Sequence, residues 1–208
     1  MLKRFTGMAA AMLVVTLLHA APGLGVPAPA FMRAGASASN TPKSVVAQDL
    51  AGKAVNPFDA ATGKPVVFIF VRTDCPISNR YAPTIKALSQ KYAGAAEMML
   101  VYPDKAETSA NIKKHLQEYG YKIAALQDPQ HALVKLGRVE ITPEVAVFNG
   151  KRELIYHGRI DNWYKEFGQA RSAPTTHELD DAIQAALNSN HPAPASVSGV
   201  GCYISDLR

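Results

Sequence analysis

Apolar and polar positions change period several times along the chain. Residues 65–71, "PVVFIFV", are an unbroken β-branched and aromatic run, the pattern of a strand buried on both faces. Beyond it Ile77, Tyr81, Ile85, Leu88 and Tyr92 recur every three or four residues and predict one side of a helix. Pro76 suits the first turn, whereas Pro83 predicts either a kink or a looser first turn ahead of the main helix. The cycle then repeats. "AEMMLVYPD" reads as a second strand, and "TSANIKKHLQEYG" as a helix with a Thr or Ser cap and Gly120 as its stop. "KIAAL" is a short strand, after which Asp128 caps "PQHALVKLG", with Pro129 at the first helical position and Gly137 at the end. "EVAVF" and "ELIYH" flank "NGKR" as a hairpin with an Asn-Gly turn, and "PTTHELDDAIQAALNS" is a final amphipathic helix capped by Thr175 or Thr176.

With an edge strand and turn in "SVVAQDLAGKAV", this order describes a central mixed sheet covered on both faces, a three-layer α/β/α sandwich. Residues 1–30 have the layout of an export signal, with Lys3 and Arg4 ahead of an apolar stretch too short to span a membrane comfortably; cleavage after Ala21 or Ala30, or retention as an anchor, are all open. Residues 31–43 read as a flexible lead-in, 44–190 as one domain, and 191–208, rich in Pro, Ser and Gly, as an extended arm crossing the surface rather than adding to the core. Losing Lys3 and Arg4 lowers the net charge from +5 by two, to +3, and no dense Lys/Arg face remains, so nucleic acid is excluded as a partner. A membrane partner is expected only if the signal is uncleaved. The expected location is periplasmic or secreted.

The two cysteines of the chain, Cys75 and Cys202, would then enter an oxidising compartment. Cys75 falls at a strand-to-helix junction, where unpaired N–H groups and the helix dipole favour thiolate and make it a candidate nucleophile. Arg72 and Arg80 would help by charge and Asp74 would oppose. The alternative is a small buried hydrophobe.

"CPISNRYAP", the "TPEVAVF" segment and "YHGRIDN" together resemble exported redoxin-domain proteins of the thioredoxin-like superfamily, related to the alkyl hydroperoxide reductase and thiol-specific antioxidant group, and "GCYI" is similar to a cysteine-bearing tail in such redoxins. The resemblance runs over about residues 44–204. It implies a thioredoxin-like fold, Cys75 in the attacking position, and Pro143 as a cis-proline whose loop lies opposite, with Thr142 offering its backbone to an extended substrate. Asp74 and Pro76, beside the thiol, join Thr142 and Pro143 as substrate-positioning residues, and Arg72, Ser78 and Arg159 support them. Ser78 stands where thioredoxins carry their second cysteine, and Arg72 and Phe68 stand where peroxiredoxins carry threonine and proline, so a local disulfide is impossible and peroxidase activity is expected to be weak at most.

Cys202 is then either the resolving thiol or one end of a structural staple; an intermolecular bridge is a third option. The partners implied are a thiol or disulfide protein, or a small peroxide, and no cofactor is expected. His115, His131 and His157 with Cys75 would make a poor copper set, and each reads as a surface or satisfied polar residue, with His191 in the tail; the rival class is a redox-inactive binding module or copper-handling chaperone. Arg159 and Asp161 are read as an ion pair, and Trp163 and Tyr164 as packing residues.

Overall fold

The computed structural model describes residues 45–188, 192–205 and 207; the expected signal and lead-in lie outside them, as does His191. Along the chain the elements are β1 (Ala47–Gln48), β2 (Ala54–Val55), β3 (Val66–Phe70), α1 (Pro76–Arg80), α2 (Ala82–Lys91), β4 (Glu97–Tyr102), α3 (Ser109–Tyr119) and β5 (Ala124–Gln127). There follow α4 (Ala132–Gly137), β6 (Ile141–Thr142), β7 (Glu144–Phe148), β8 (Leu154–Gly158), β9 (Tyr164–Glu166), β10 (Gln169–Ala170), α5 (Glu178–Leu187) and β11 (Cys202–Tyr203). The main sheet has the order β2-β1-β5-β4-β3-β7-β8. β3 runs parallel to β4 and antiparallel to β7, so it is central, and all five of its residues are buried.

Alternation along β3 feeds two cores. Val67 and Ile69 pack with Ile85, Ile112, Leu179 and Ile183 of α2, α3 and α5, while Val66, Phe68 and Phe70 pack with Leu133 and Val134 of α4 and with Phe58. This is the thioredoxin-like α/β/α sandwich with a central mixed sheet that the pattern and the resemblance predict.

The Pro83 ambiguity resolves as a break: α1 ends at Arg80 and α2 begins at Ala82, with Tyr81 between them. Five local expectations are corrected. Asp128 does not cap a helix beginning at Pro129; α4 starts at Ala132 after His131 in the left-handed region, and the Asp128 carboxylate instead reaches forward to accept the N–H groups of Ala132, Leu133 and Val134. Its C-cap is Arg138, not Gly137. Neither Thr175 nor Thr176 caps α5, whose N-cap is His177; both threonine N–H groups are taken by Asn162 from a distant loop. The β7–β8 turn is wider than an Asn-Gly pair, with Asn149 Oδ1 accepting from Lys151 and Glu153 and Arg152 at φ 65°. The β9–β10 hairpin carries no alternation that announces it. The arm does add to the core: Ile204 is buried in the second cluster, with Leu207 against it.

Candidate active site

The loop from β3 into α1 is held from beneath. Thr73 donates its N–H and hydroxyl to Glu107 Oε1, and its carbonyl accepts from Asn79 Nδ2 at 2.9 Å. Asn79 Oδ1 in turn meets His115 Nε2 at 2.8 Å, while His115 Nδ1 meets the Tyr102 hydroxyl at 2.8 Å. A tyrosine hydroxyl donating to Nδ1 leaves the proton on Nε2, where the Asn79 carbonyl accepts it. This sets the first turn of α1, with Cys75 as its N-cap and Pro76 at N1.

The Cys75 side chain is wholly buried, with Sγ 3.3 Å from Thr142 O and 2.8 Å from Cys202 Sγ; both cysteines are free thiols. Thr142 ends β6, and the Thr142–Pro143 peptide is cis, the isomer the resemblance implies. β11 pairs antiparallel with β6 in the register Cys202↔Thr142 and Tyr203↔Ile141. Around this pairing Ile204 N–H donates to Glu140 O at 2.9 Å, Gly199 N–H to Glu144 Oε1 at 2.7 Å, and Arg159 N–H to Val197 O at 2.8 Å. Glu144, itself buried, also accepts from the Glu140 and Ile141 N–H groups, so one carboxylate joins the cis-proline loop to the arm.

Glycines make the approach possible. A Cβ on Gly201 would lie 2.0 Å from Thr142 O, one on Gly199 2.9 Å from Pro143 O, and one on Gly158, at φ +133°, 2.2 Å from Val197 O. No side chain fits at Gly201 or Gly158 without moving backbone.

The two sulfurs differ in acidity. Burial pushes the Cys75 thiol up, but the hydrogen bond from Cys202, the Ser78 hydroxyl and the Ser78 and Ile77 N–H groups more than reverse this, leaving its pKa below the ordinary thiol value. The Ser78 hydroxyl is buried with no well-aligned hydrogen-bond partner, so it stands ready for an anionic sulfur. Cys202 is pushed up to about 12 by burial, by its bond to Cys75 and by that sulfur's charge. Because α1 is only five residues long, individual N–H groups rather than a helix dipole favour the thiolate.

The charged residues divide differently from the sequence reading. Arg72 bridges Asp74 and Asp104 and reaches Tyr203 O at 3.5 Å, thereby tying the arm down, and Arg80 lies over Trp163. Arg159 pairs with Glu178 of α5, not with Asp161, which instead accepts from the Tyr81 hydroxyl at 2.6 Å and Trp163 N–H at 2.8 Å. Trp163 and Tyr164 pack on Tyr81. His131 is buried against Pro103 O, and His157 lies in β8. Among the described residues no three His, Cys, Asp or Glu converge on a metal position, and no helix is long and apolar enough to cross a membrane. Asn79, Glu107, His115, Glu144, Gly199 and Gly201 were not recognised as site residues from sequence, although a glycine pair in an extended segment is a signal of close backbone approach.

A thioredoxin-like sandwich with a sulfur at the exit of its central strand, facing a cis-proline loop and a second sulfur, defines a protein of thiol–disulfide chemistry. The redoxin family model matches residues 24–170, and the chain belongs to the redoxin family. Among solved structures, it is similar to a hypothetical protein from Sinorhizobium meliloti (TM-score 0.65, 19% identity, 77% of this chain and 90% of that one). It is also similar to an uncharacterized conserved protein from Geobacillus kaustophilus (0.66, 20%, 77% and 87%). A thioredoxin-family thiol:disulfide interchange protein from Chlorobium tepidum follows at 0.51 (13%, 70% and 94%); at these identities the likeness is one of fold. Comparison with curated proteins gave no match.

Proposed function

We propose that the protein is an exported thiol–disulfide oxidoreductase in which Cys75 is the nucleophile and Cys202 the resolving thiol. The observation that carries this reading is a pair of unbonded sulfurs 2.8 Å apart whose surroundings split their acidities. Titratable groups driven apart in one site take separate roles: the more acidic sulfur attacks, the less acidic one waits protonated. The Cys75 thiolate attacks one sulfur of a substrate disulfide, forming a mixed disulfide and expelling the other sulfur as thiolate. That thiolate accepts the Cys202 proton. Cys202 then attacks the Cys75 sulfur, expels the second substrate thiolate and leaves a Cys75–Cys202 disulfide, so two electrons pass to the substrate. A dithiol partner restores the reduced protein. With a hydroperoxide the same thiolate attacks the terminal oxygen, breaks the O–O bond and becomes a sulfenic acid as the alcohol leaves, and Cys202 then displaces water from it to form the Cys75–Cys202 disulfide, a minor route without the usual peroxidatic residues.

Cys75→Ser should abolish reduction of a substrate disulfide, and the wild-type pair should equilibrate with a glutathione buffer at a potential above about −300 mV. A potential below that value identifies the bridge as a structural staple and favours the redox-inactive binding module. Export rests on the pattern of residues 1–30, and N-terminal sequencing of protein recovered from the producing cells should begin after Ala21 or Ala30; a start at Met1 refutes cleavage.

A further inference from the structure

While the arm is docked, nothing outside the protein can reach Cys75. Its side chain is wholly buried, Cys202 lies on it, and the backbone edge beside it is taken up by residues 197–204. Cys202 is the poorer attacking sulfur, because burial and the neighbouring Cys75 sulfur raise its pKa. A substrate sulfur that meets Cys75 therefore arrives where Cys202 now sits, and its main chain follows the edge the arm follows. The arm is thus an occupant in place, and the contacts it makes state what another occupant must satisfy. The residue before the reacting cysteine meets Thr142 O at 2.0 Å if it carries a Cβ, and the residue three before it meets Pro143 O at 2.9 Å. The Glu144 carboxylate waits for an N–H donor at that third position.

We propose that the arm is the resident competitor of the substrate on the edge formed by Ile141, Thr142, Pro143 and Glu144, and that this edge selects a disulfide-bonded cysteine with glycine directly before it. This rests on the reading of Cys75 as the nucleophile. Backbone addition along the edge holds the segment, and the missing Cβ lets it come close enough for sulfur to meet sulfur.

The test uses full-length Cys202→Ser protein, whose remaining thiol is Cys75, and two synthetic hexapeptides, Ser-Gly-Val-Gly-Cys-Tyr and Ser-Gly-Val-Ala-Cys-Tyr, each carrying its cysteine as a 2-thiopyridyl disulfide. Attack by the Cys75 thiolate on the peptide sulfur forms the Cys75–peptide disulfide and releases thiopyridone, which is followed by absorbance. Adding Gly201→Ala, or independently Ile204→Ser, frees the edge and should raise the rate with the glycine peptide at least about tenfold. In those backgrounds the glycine peptide should outpace the alanine peptide by a similar factor. Circular dichroism checks that each variant is folded, and two undocking routes guard against one of them failing to fold. Equal rates for the two peptides, or no gain on undocking by either route, overturn the proposal while leaving Cys75 a nucleophile. If Cys75 also fails to react with the small disulfide dithiodipyridine in the undocked variants, the nucleophile reading falls and this proposal falls with it.

Discussion

Gly201→Ala should weaken the Cys75–Cys202 disulfide by an amount the structure lets us work out. The new Cβ would sit 2.0 Å from Thr142 O and 2.7 Å from its carbon, both backbone atoms that cannot swing away. The arm must lift locally, forfeiting the Ile204-to-Glu140, Gly199-to-Glu144 and Arg159-to-Val197 hydrogen bonds. At about 1 kcal/mol net for each, the reduced protein loses about 3 kcal/mol of preorganisation that the wild type has before its sulfurs join. Oxidation of the variant must supply that amount, so its disulfide should be more easily reduced by about 60 mV, or about 100-fold in equilibrium constant. Equilibration with graded glutathione buffers, followed by acid quenching and mass measurement of blocked thiols, reads the potential directly. The hydrophobic anchor at Ile204 can remain seated in the variant, which is why its burial is left out of the sum. A potential within about 10 mV of wild type, under 0.5 kcal/mol, would show that the docked arm contributes nothing to the bridge and refute the reasoning.

The two thiols' joint contribution to the stability of the dithiol protein should peak near pH 8.5. Cys75 has its folded pKa below the unfolded value of about 8.5, so its contribution grows as pH rises toward 8.5 and is lost as pH falls through the folded pKa. Cys202, pushed up to about 12, contributes below about 8.5 and loses that contribution as pH rises toward its folded value. Urea unfolding under reductant from about pH 5 to about pH 10, compared with the Cys75→Ser, Cys202→Ser double variant, isolates this curve; a flat difference contradicts it. His115→Phe keeps the aromatic packing with Tyr119 and Tyr121 but strands Asn79 and Tyr102, and should cost about 1–3 kcal/mol and slow alkylation of Cys75 in the undocked arm variants. Burial holds the His115 pKa below its ordinary value, so the wild type should lose stability as pH falls below about 6.5 and the variant should lack that slope; parallel slopes tell against a neutral buried ring. Glu178→Gln removes the carboxylate that holds Arg159 and Thr176, and should destabilise by about 2 kcal/mol in urea while leaving the disulfide potential unchanged; a shifted potential would tie this pair to the sulfurs.

Layers, strand order of burial and the junction at Cys75 were legible because they depend on period and on residues adjacent in sequence. "PVVFIFV" could only be a strand covered on both faces, and the thiol after it could only leave the sheet at one end. What failed depends on partners from far away. The start of α5 is set by Asn162, and Arg159 finds its acid in α5 although Asp161 stands two residues off. The start of α4 follows from a side chain bonding four to six residues ahead, with His131 in the left-handed region that few non-glycine residues adopt. Of the two apolar residues after Cys202, Ile204 is buried and Tyr203 is exposed, because the pairing with β6 turns neighbouring side chains to opposite sides.

The departure from a local Cys-x-x-Cys pair has a physical consequence beyond the missing thiol. Ser78 puts a hydroxyl where a second sulfur would compete for charge, and the partner thiol comes instead from 127 residues away on the C-terminal arm. A buried thiolate is penalised by desolvation, and here the penalty and part of its relief come from the same element: the arm that excludes water also brings the S–H donor. Undocking therefore exposes the sulfur to water while withdrawing a donor, and the two effects on its acidity oppose each other. On the reading of Cys75 as the nucleophile, undocking would open the sulfur to a substrate while solvent takes over the hydrogen-bonding role that Cys202 gives up.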